Sequence, residues 1–242
     1  MKNWSTSYLS SAERQNKKLC SEGNNTPTAS GREMSQKAFD IEKLSFEIID
    51  AEIGSHSYND LEWAIVRRVI HATADFDFAH TGKIIFNNNP IDSAFNAIKN
   101  KCNIVSDVDM VLTALNKKSI ADLGLKTACY ISDKMLIDMA RKFNKTRSEM
   151  AMRYAADQIN GGIVVIGNAP TALYEVIKMV RETVTKPALI VGIPVGFVSA
   201  SEAKEELMKI DIPYISNLGR KGGSAAASSI VNAIMLHYKS NL

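Results

Sequence analysis

The pattern of apolar and polar positions changes close to residue 37. Residues 1–36 are polar, rich in serine and asparagine, and show no sustained apolar period. A segment of this kind does not bury enough apolar surface to offset the conformational entropy that folding removes. We therefore predict a disordered leader over residues 1–36 and a single folded domain over residues 37–242.

Two amphipathic helices are predicted at the start of this domain. The first begins near Phe39, and its apolar stripe contains Ile41, Leu44, Ile48 and Ile49. The second runs from Tyr58 to His71, with Leu61, Ile65 and Val69 in phase. Apolar residues spaced three and four apart share one face of a helix, which is the face expected to be buried.

Short apolar segments and helical segments alternate along the rest of the chain. Strands are predicted at "GKIIF", "KTACYI", "GGIVVIG", "ALIVGIPV" and "PYIS". One helix is predicted at "NPIDSAFNAIKN", with Asn89 as its cap and Pro90 in its first turn. Further helices are predicted to begin at Asp107, at Asp133, at Thr146, after Pro170 and at "SASE", and the last, alanine-rich segment is also predicted to be helical. The "TRSE" at Thr146 fits a capping box. Strands that are apolar throughout are buried on both faces, and helices between them imply right-handed parallel crossovers. The predicted fold class is a three-layer α/β/α sandwich around a mostly parallel sheet.

Composition narrows the function classes. Lysine and arginine number 29 against 26 aspartates and glutamates, so the net charge of +3 does not suggest nucleic acid, and there is no basic run. No apolar run reaches the roughly 18 residues that cross a bilayer. The three cysteines, Cys20, Cys102 and Cys129, are widely spaced and fit neither a disulfide framework nor a zinc site, so we expect a reducing cytoplasm.

Three predicted strand-to-helix turns combine small residues with a helix start. They are "GNAPTAL" (167–173), "PVGFVSASE" (194–202) and "NLGRKGGSAAA" (217–227). Ligands of open parallel sheets bind beyond the carboxyl ends of the strands, and free N–H groups at helix starts favour a carboxylate or phosphate. "GRKGGS" is neither a P-loop nor a dinucleotide fingerprint. By itself it also fits a simple tight helix entry. As part of a binding site, Gly223 is expected to allow close approach of the backbone to the ligand and a positive φ.

His71 and Arg147 are the candidates for chemistry. His71 continues an apolar stripe to a helix carboxyl end, so we expect it to be partly buried where an imidazolium is favoured. Arg147 lies in the first turn of a helix, an unfavourable end for a cation, which indicates another use; a solvated pair with Glu149 or Glu175 is the alternative. His56 and His237 are expected to be exposed, and His80 to be a turn residue.

Six motifs, taken in order, resemble one family. "HATADFDFA", "VSDVDMV", "TRSEMA", "VVIGNAPTAL", "PVGFVSASEAKEEL" and "GRKGGSAAA" are similar to the precorrin-8X methylmutases, also called cobalt-precorrin-8 methylmutases, from about Phe39 to the end of the chain. The resemblance implies a flavodoxin-like fold and a homodimer with sites near the subunit interface. It implies an isomerase that moves a methyl group from C11 to C12 of a tetrapyrrole in cobalamin biosynthesis. No S-adenosylmethionine, nicotinamide or catalytic metal is implied, although one branch uses a substrate that already carries cobalt.

The resemblance also implies roles for individual residues. The acid–base histidine falls on His71 and the arginine of "TRS" on Arg147. Substrate-binding positions are implied at Asn168, Thr171, Ser199, Arg220, Gly222, Gly223 and Ser224, and Lys221 adds a cation to their rim. Asp75 and Asp77 either orient the imidazole or cap the following turn; we favour the cap for Asp77, and for Asp75 both interpretations stay open.

Two other function classes fit parts of the sequence. A corrinoid-binding protein without catalytic activity would use the same pocket residues. A nucleotide or flavin binder fits the fold alone and lacks the phosphate fingerprints. Nothing in the sequence distinguishes a cobalt-free from a cobalt-containing substrate.

Overall fold

The computed structural model of the chain describes residues 36–242. Its helices are α1 (Gln36–Ile53), α2 (Asp60–Thr73), α3 (Pro90–Lys99), α4 (Asp109–Ala114), α5 (Lys117–Asp122), α6 (Lys134–Lys142), α7 (Arg147–Tyr154), α8 (Ala156–Ile159), α9 (Pro170–Arg181), α10 (Ala200–Leu207) and α11 (Ser224–Ser240). Its strands are β1 (Ile84–Asn87), β2 (Asn103–Ser106), β3 (Lys126–Cys129), β4 (Ile163–Ile166), β5 (Leu189–Gly192) and β6 (Tyr214–Asn217). A short 3-10 helix, Phe76–Ala79, follows α2.

The six strands form one mixed sheet in the order β1-β6-β5-β4-β2-β3. Edge strand β1, predicted as "GKIIF", pairs antiparallel with β6, whereas all other pairs are parallel. All five predicted strands are therefore present, and the central ones are buried on both faces. The carboxyl ends of β4, β5 and β6 lie side by side, because these strands are parallel neighbours.

Helices cover both faces of the sheet. Alternate residues of the central strands enter two separate cores: Val165 and Val191 pack with α2, α3 and α11, and Val164 and Ile190 pack with α7, α9 and α10. The side-chain period of two along a strand explains this division. The predicted three-layer α/β/α class is confirmed.

Local signals at the helix starts were mostly accurate. The capping box at α7 is present, since Thr146 Oγ1 accepts from the Glu149 N–H and the Glu149 carboxylate accepts from the Thr146 N–H. Pro90 opens α3, but Asn89 precedes it in the left-handed region and makes no side-chain cap bond. The helix predicted from Asp107 begins instead at Asp109. The Asp107 side chain is used elsewhere, as described below.

The prediction for α1 was wrong about which face is buried. Of its predicted stripe, Ile41, Leu44 and Ile48 are 49–57% exposed, and only Ile49 is buried, at 5%. The face that packs on the core carries Phe46, Ile49 and Ile53. At about 100° per residue the two sets lie on roughly opposite sides of the helix. Helix α1 thus has two apolar faces, and only one of them has a partner within residues 36–242.

The predicted leader lies outside the described residues, except for Gln36, which is the first residue of α1. The domain boundary near residue 37 stays a prediction. Among the helices of residues 36–242, none combines the length and apolar character needed to span a membrane.

Candidate active site

Two of the three predicted turns form one continuous surface at the carboxyl edge of the sheet. The Gly196 N–H donates to the Arg220 carbonyl oxygen at 3.1 Å, and the Gly223 N–H donates to the Ile193 carbonyl oxygen at 2.9 Å. These bonds join the β5–α10 loop to the β6–α11 loop. The "GRKGGS" segment is therefore held against the end of β5 along its backbone.

Gly222 lies closer to the neighbouring protein backbone than Gly223 does. A Cβ atom at Gly222 would lie 2.2 Å from the Ile193 carbonyl oxygen, whereas one at Gly223 would meet nothing closer than Val195 Cγ1, at 3.9 Å. Both glycines have positive φ, 156° and 124°. Gly222 is thus required for space and conformation, and Gly223 for conformation alone.

The third turn, at the start of α9, does not offer the free N–H groups that the sequence suggested. Asp107 is fully buried, and its carboxylate accepts from the backbone N–H groups of Gly167, Asn168 and Ala169 at 3.0, 2.8 and 2.6 Å. Burial raises the pKa of Asp107, and these three bonds oppose that rise. The anion site predicted for a ligand is occupied by the protein's own carboxylate. Its position directly after the strand "NIVS" was the signal for it.

Arg147 lies next to this turn. It is exposed at the first position of α7, and the preceding Thr146 donates from Oγ1 to Thr171 Oγ1 at 3.1 Å. That bond joins the start of α7 to the start of α9. The structure therefore brings Arg147 and the candidate Thr171 to the same edge of the sheet.

The alternative partners considered for Arg147 are taken by other cations. Lys145 pairs with Glu149 at 2.8 Å, and Arg153 pairs with the buried Glu175. Within residues 36–242, the Arg147 side chain forms no hydrogen bond or ion pair. Its guanidinium is available to a ligand.

His71 is exposed, although the sequence suggested partial burial. It lies in the last turn of α2, and its ring meets the Phe46 ring edge-on at 5.3 Å between centroids. The helix buries Val69 and Ile70 and turns the next residue away from the core. No hydrogen bond, ion pair or ring contact joins His71 to Arg147 among the described residues.

The other histidines differ in their surroundings. His56 is exposed and stacks on Trp63 at 4.1 Å, and His80 is exposed in the turn after the 3-10 helix. His237 is half-buried rather than exposed, and this burial lowers its pKa. His71 is the histidine whose helix leads directly into the turn capped by Asp75.

The turn after His71 is tied to the β6–α11 loop. Asp75 caps the 3-10 helix by accepting from the Asp77 N–H at 3.1 Å, so the cap is Asp75 and not Asp77. The Lys221 ammonium contacts both carboxylates, at 2.8 Å for Asp75 and 2.6 Å for Asp77. Lys221 holds the pKa of Asp77 below its usual range, and the two carboxylates raise the pKa of Lys221. Lys221 is therefore not the free rim cation that the sequence suggested.

A buried lysine lies beneath this loop, and sequence reasoning missed it. Lys204 is 1% exposed, and its ammonium donates to Asn217 Oδ1 at 3.0 Å and to the Lys221 carbonyl oxygen at 2.7 Å. Burial lowers the pKa of Lys204 to about 8. The signal was its place next to Ala203, on the face of α10 that is otherwise apolar.

The outer rim of the surface is apolar and cationic. Phe197 is 84% exposed, and the Arg220 guanidinium lies 5.7 Å from the centre of its ring. Like Arg147, Arg220 has no carboxylate partner within residues 36–242. The remaining predicted binding residues lie at three helix starts: Asn168 is exposed before α9, Ser199 is half-buried with φ of 63° before α10, and Ser224 is buried at the first position of α11.

This arrangement fits a broad apolar ligand with carboxylates at its edge. Phe197 and its neighbours offer apolar area, and two unpaired guanidiniums and the starts of α10 and α11 favour anionic groups. Among residues 36–242 no group of three histidine, cysteine, aspartate or glutamate side chains is placed to hold a metal ion. His71 supplies an exposed imidazole, a side chain of the type that most often acts as general acid or base.

Comparison with known proteins decides the family. A family model described as precorrin-8X methylmutase matches residues 40–237. The chain belongs to the precorrin-8X methylmutase family. The resemblance seen in the six motifs is confirmed, and the chain is a methylmutase, an isomerase of cobalamin biosynthesis.

Individual methylmutases match most of the chain. It is 47% identical to the cobalt-precorrin-8 methylmutase of Leptospira interrogans over 213 residues, which are 85% of this chain and 96% of that protein. The cobalt-precorrin-8 methylmutase of Priestia megaterium is 44% identical over 196 residues, 81% of this chain and 86% of that one. The crystal structure of the Thermus thermophilus precorrin-8x methyl mutase superposes with a TM-score of 0.77 at 35% identity, covering 84% of this chain and 97% of that chain. A nucleotide or flavin binder is thereby set aside.

Proposed function

We propose that this methylmutase moves a methyl group from C11 to C12 of a precorrin-8-type tetrapyrrole, with His71 as general acid. The observation that carries the proposal is the exposed imidazole at the end of α2, next to a turn that is tied to the β6–α11 loop. A proton donor in this place is open to solvent, and the turn that follows it is held against the β6–α11 loop.

The chemistry requires no external group. His71 donates a proton to a ring nitrogen or carbon, which makes the macrocycle electron-poor. The bond from the methyl group to C11 breaks as the bond to C12 forms, and the proton returns to the imidazole. Substrate and product have the same composition, so the protein supplies only binding, orientation and proton transfer.

Different binding residues contact different parts of the substrate in this proposal. The apolar ring lies against Phe197 and its loop, and peripheral carboxylates pair with Arg147 and Arg220. Asn168 contributes its side chain, since its backbone N–H is bonded to Asp107. Thr171, Ser199, Gly222, Gly223 and Ser224 line the helix starts around it, as the resemblance implies.

We also propose that the methylmutase is a homodimer and works in the cytoplasm. The support for a dimer is the apolar face of α1 formed by Ile41, Leu44 and Ile48, which is about half exposed in the single chain. Contiguous apolar area of this kind marks contact sites. The support for a cytoplasmic location is cysteine usage, since Cys102 and Cys129 are free thiols.

The cobalt-containing substrate is the preferred one in this proposal. Six relatives named for the cobalt form are 36–47% identical to the chain, whereas two named precorrin-8X methylmutase are 32% and 38% identical. We expect a higher kcat/KM with the cobalt-containing substrate. Equal or lower values than with the cobalt-free substrate would contradict this part.

Conversion of the coloured substrate by the pure protein tests the main proposal. We expect the visible spectrum to change while the mass of the tetrapyrrole stays the same, and NMR to locate the migrated methyl group on C12. A bound substrate whose spectrum stays static would overturn it.

A further inference from the structure

We infer that Lys221 is a positioning residue for the methyl migration, acting through Asp75 and Asp77. It ties the turn that follows His71 to the loop that carries Arg220. Because of this tie, the proton donor His71 and Arg220, which pairs with a substrate carboxylate, are held in a fixed geometry around one substrate. The inference rests on the proposed function for its catalytic meaning.

The contacts of Lys221 are short and join distant parts of the chain. Its ammonium lies 2.6 Å from Asp77 Oδ2, 144 residues away, and 2.8 Å from Asp75 Oδ2. Asp75 also caps the 3-10 helix that begins at Phe76. One cation therefore fixes both the backbone and the side chains of this turn.

The Lys221 backbone is itself held from beneath. Its carbonyl oxygen accepts from the Lys204 ammonium at 2.7 Å and from Asn217 Nδ2 at 2.9 Å, and both donors are buried. Most exposed ion pairs contribute little because their long side chains are mobile at both ends. Here the Lys221 backbone is fixed by two buried side chains, so the lysine side chain extends from a rigid position.

The tie reaches the reacting residues over short stretches of chain. His71 lies in the last turn of α2, and the residue that caps this helix, Ala74, is in the left-handed region directly before Asp75. On the other side, Arg220 is the residue before Lys221. A displacement of about 1 Å in a catalytic group costs on the order of 100-fold in rate. Loss of the tie should therefore lower kcat more than it raises KM.

Substitution of Lys221 by methionine removes the ammonium and keeps the apolar stem. We expect Lys221→Met to lower kcat by about 10- to 100-fold with KM within about threefold of wild type. Lys221→Arg keeps a cation and should restore kcat to within about fivefold. The matched control is Lys239→Met, which breaks a partly exposed pair with Asp122 of the same 2.6 Å length and should leave kcat unchanged. A Lys221→Met enzyme with the kcat of this control would overturn the inference.

A mutant cycle tests whether the lysine acts through the two aspartates. The Asp75→Asn/Asp77→Asn double variant should lose as much kcat as Lys221→Met. The triple variant should be no worse than either parent, because residues of one unit are non-additive. Independent effects that multiply in the triple variant would overturn the inference.

Hydrogen exchange separates this inference from the proposed function. In Lys221→Met, amides of residues 72–78 should exchange at least tenfold faster than in wild type, and in Lys239→Met they should not. Unchanged exchange would overturn the tie, even in an active enzyme. A wild-type protein that binds the tetrapyrrole without converting it would overturn the proposed function. The exchange result would then still show whether Lys221 holds the turn at Asp75 and Asp77.

Discussion

At the scale of single residues, the exposure of His71 allows its catalytic role to be tested by substitution with little risk to folding. Its ring contacts Phe46 only at the edge, so its loss should disturb folding little. We expect His71→Ala to fold, to bind the coloured tetrapyrrole with an affinity close to that of wild type, and to slow methyl migration by about 100-fold or more. Single-turnover absorbance measures the rate, and circular dichroism checks the fold. His80→Ala, which alters an exposed turn histidine, is the control. Conversion by folded His71→Ala at the wild-type rate would remove the general-acid role.

Lys204 gives a pH-dependent prediction at the same scale. Burial lowers its pKa from 10.5 to about 8. Between these values the unfolded chain binds more protons than the folded one, so the free energy of unfolding rises with pH in this window and is unaffected below it. Lys204→Met lacks this contribution. From pH 7.5 to pH 10 the stability of wild type relative to the variant should therefore increase by about 2 kcal/mol in denaturant titrations. A difference that does not change with pH would show that the amine titrates normally.

At the scale of elements, the start of α9 depends on a residue 60 positions earlier in the chain. Asp107→Ala leaves three buried or partly buried N–H groups without their acceptor, and each such group costs about 1–3 kcal/mol. We expect a loss of at least about 3 kcal/mol in the free energy of unfolding by urea. Asp138→Ala, which breaks an exposed pair with Arg141, should stay within about 0.5 kcal/mol of wild type. Equal midpoints for the two variants would contradict the role of Asp107.

At the scale of the whole molecule, the proposed homodimer predicts that the exposed apolar face of α1 is the subunit contact. Leu44→Glu places a charge in the apolar stripe without touching the packed face of the helix. We expect it to convert a dimer into a monomer by sedimentation equilibrium, because a buried charge strongly disfavours an apolar interface. Glu52→Lys, an exposed position of the same helix, should leave the dimer intact. A wild-type protein of monomeric mass would contradict the homodimer.

The sequence by itself determined the features that depend on a few neighbouring residues. Apolar runs at "GGIVVIG" and "ALIVGIPV" indicated buried parallel strands, and "TRSE" indicated the capping box at Thr146. Six ordered motifs indicated the family, which the match over residues 40–237 bears out. Such patterns are legible because backbone geometry fixes the period of side chains within an element.

Only the tertiary structure decided the contacts between distant segments. It buried one apolar face of α1 and left the other exposed, placed Asp107 in the turn expected to bind a ligand, and paired Lys221 with Asp75 and Asp77. These outcomes depend on which loops meet at the edge of the sheet, 60 to 146 residues apart in the chain. The secondary-structure propensity of an aspartate does not depend on whether its carboxylate contacts water, a cation or three backbone N–H groups, so the local sequence does not reveal the partner. For Asp107 the partner is set by the order of the strands, which places the carboxyl end of β2 beside that of β4.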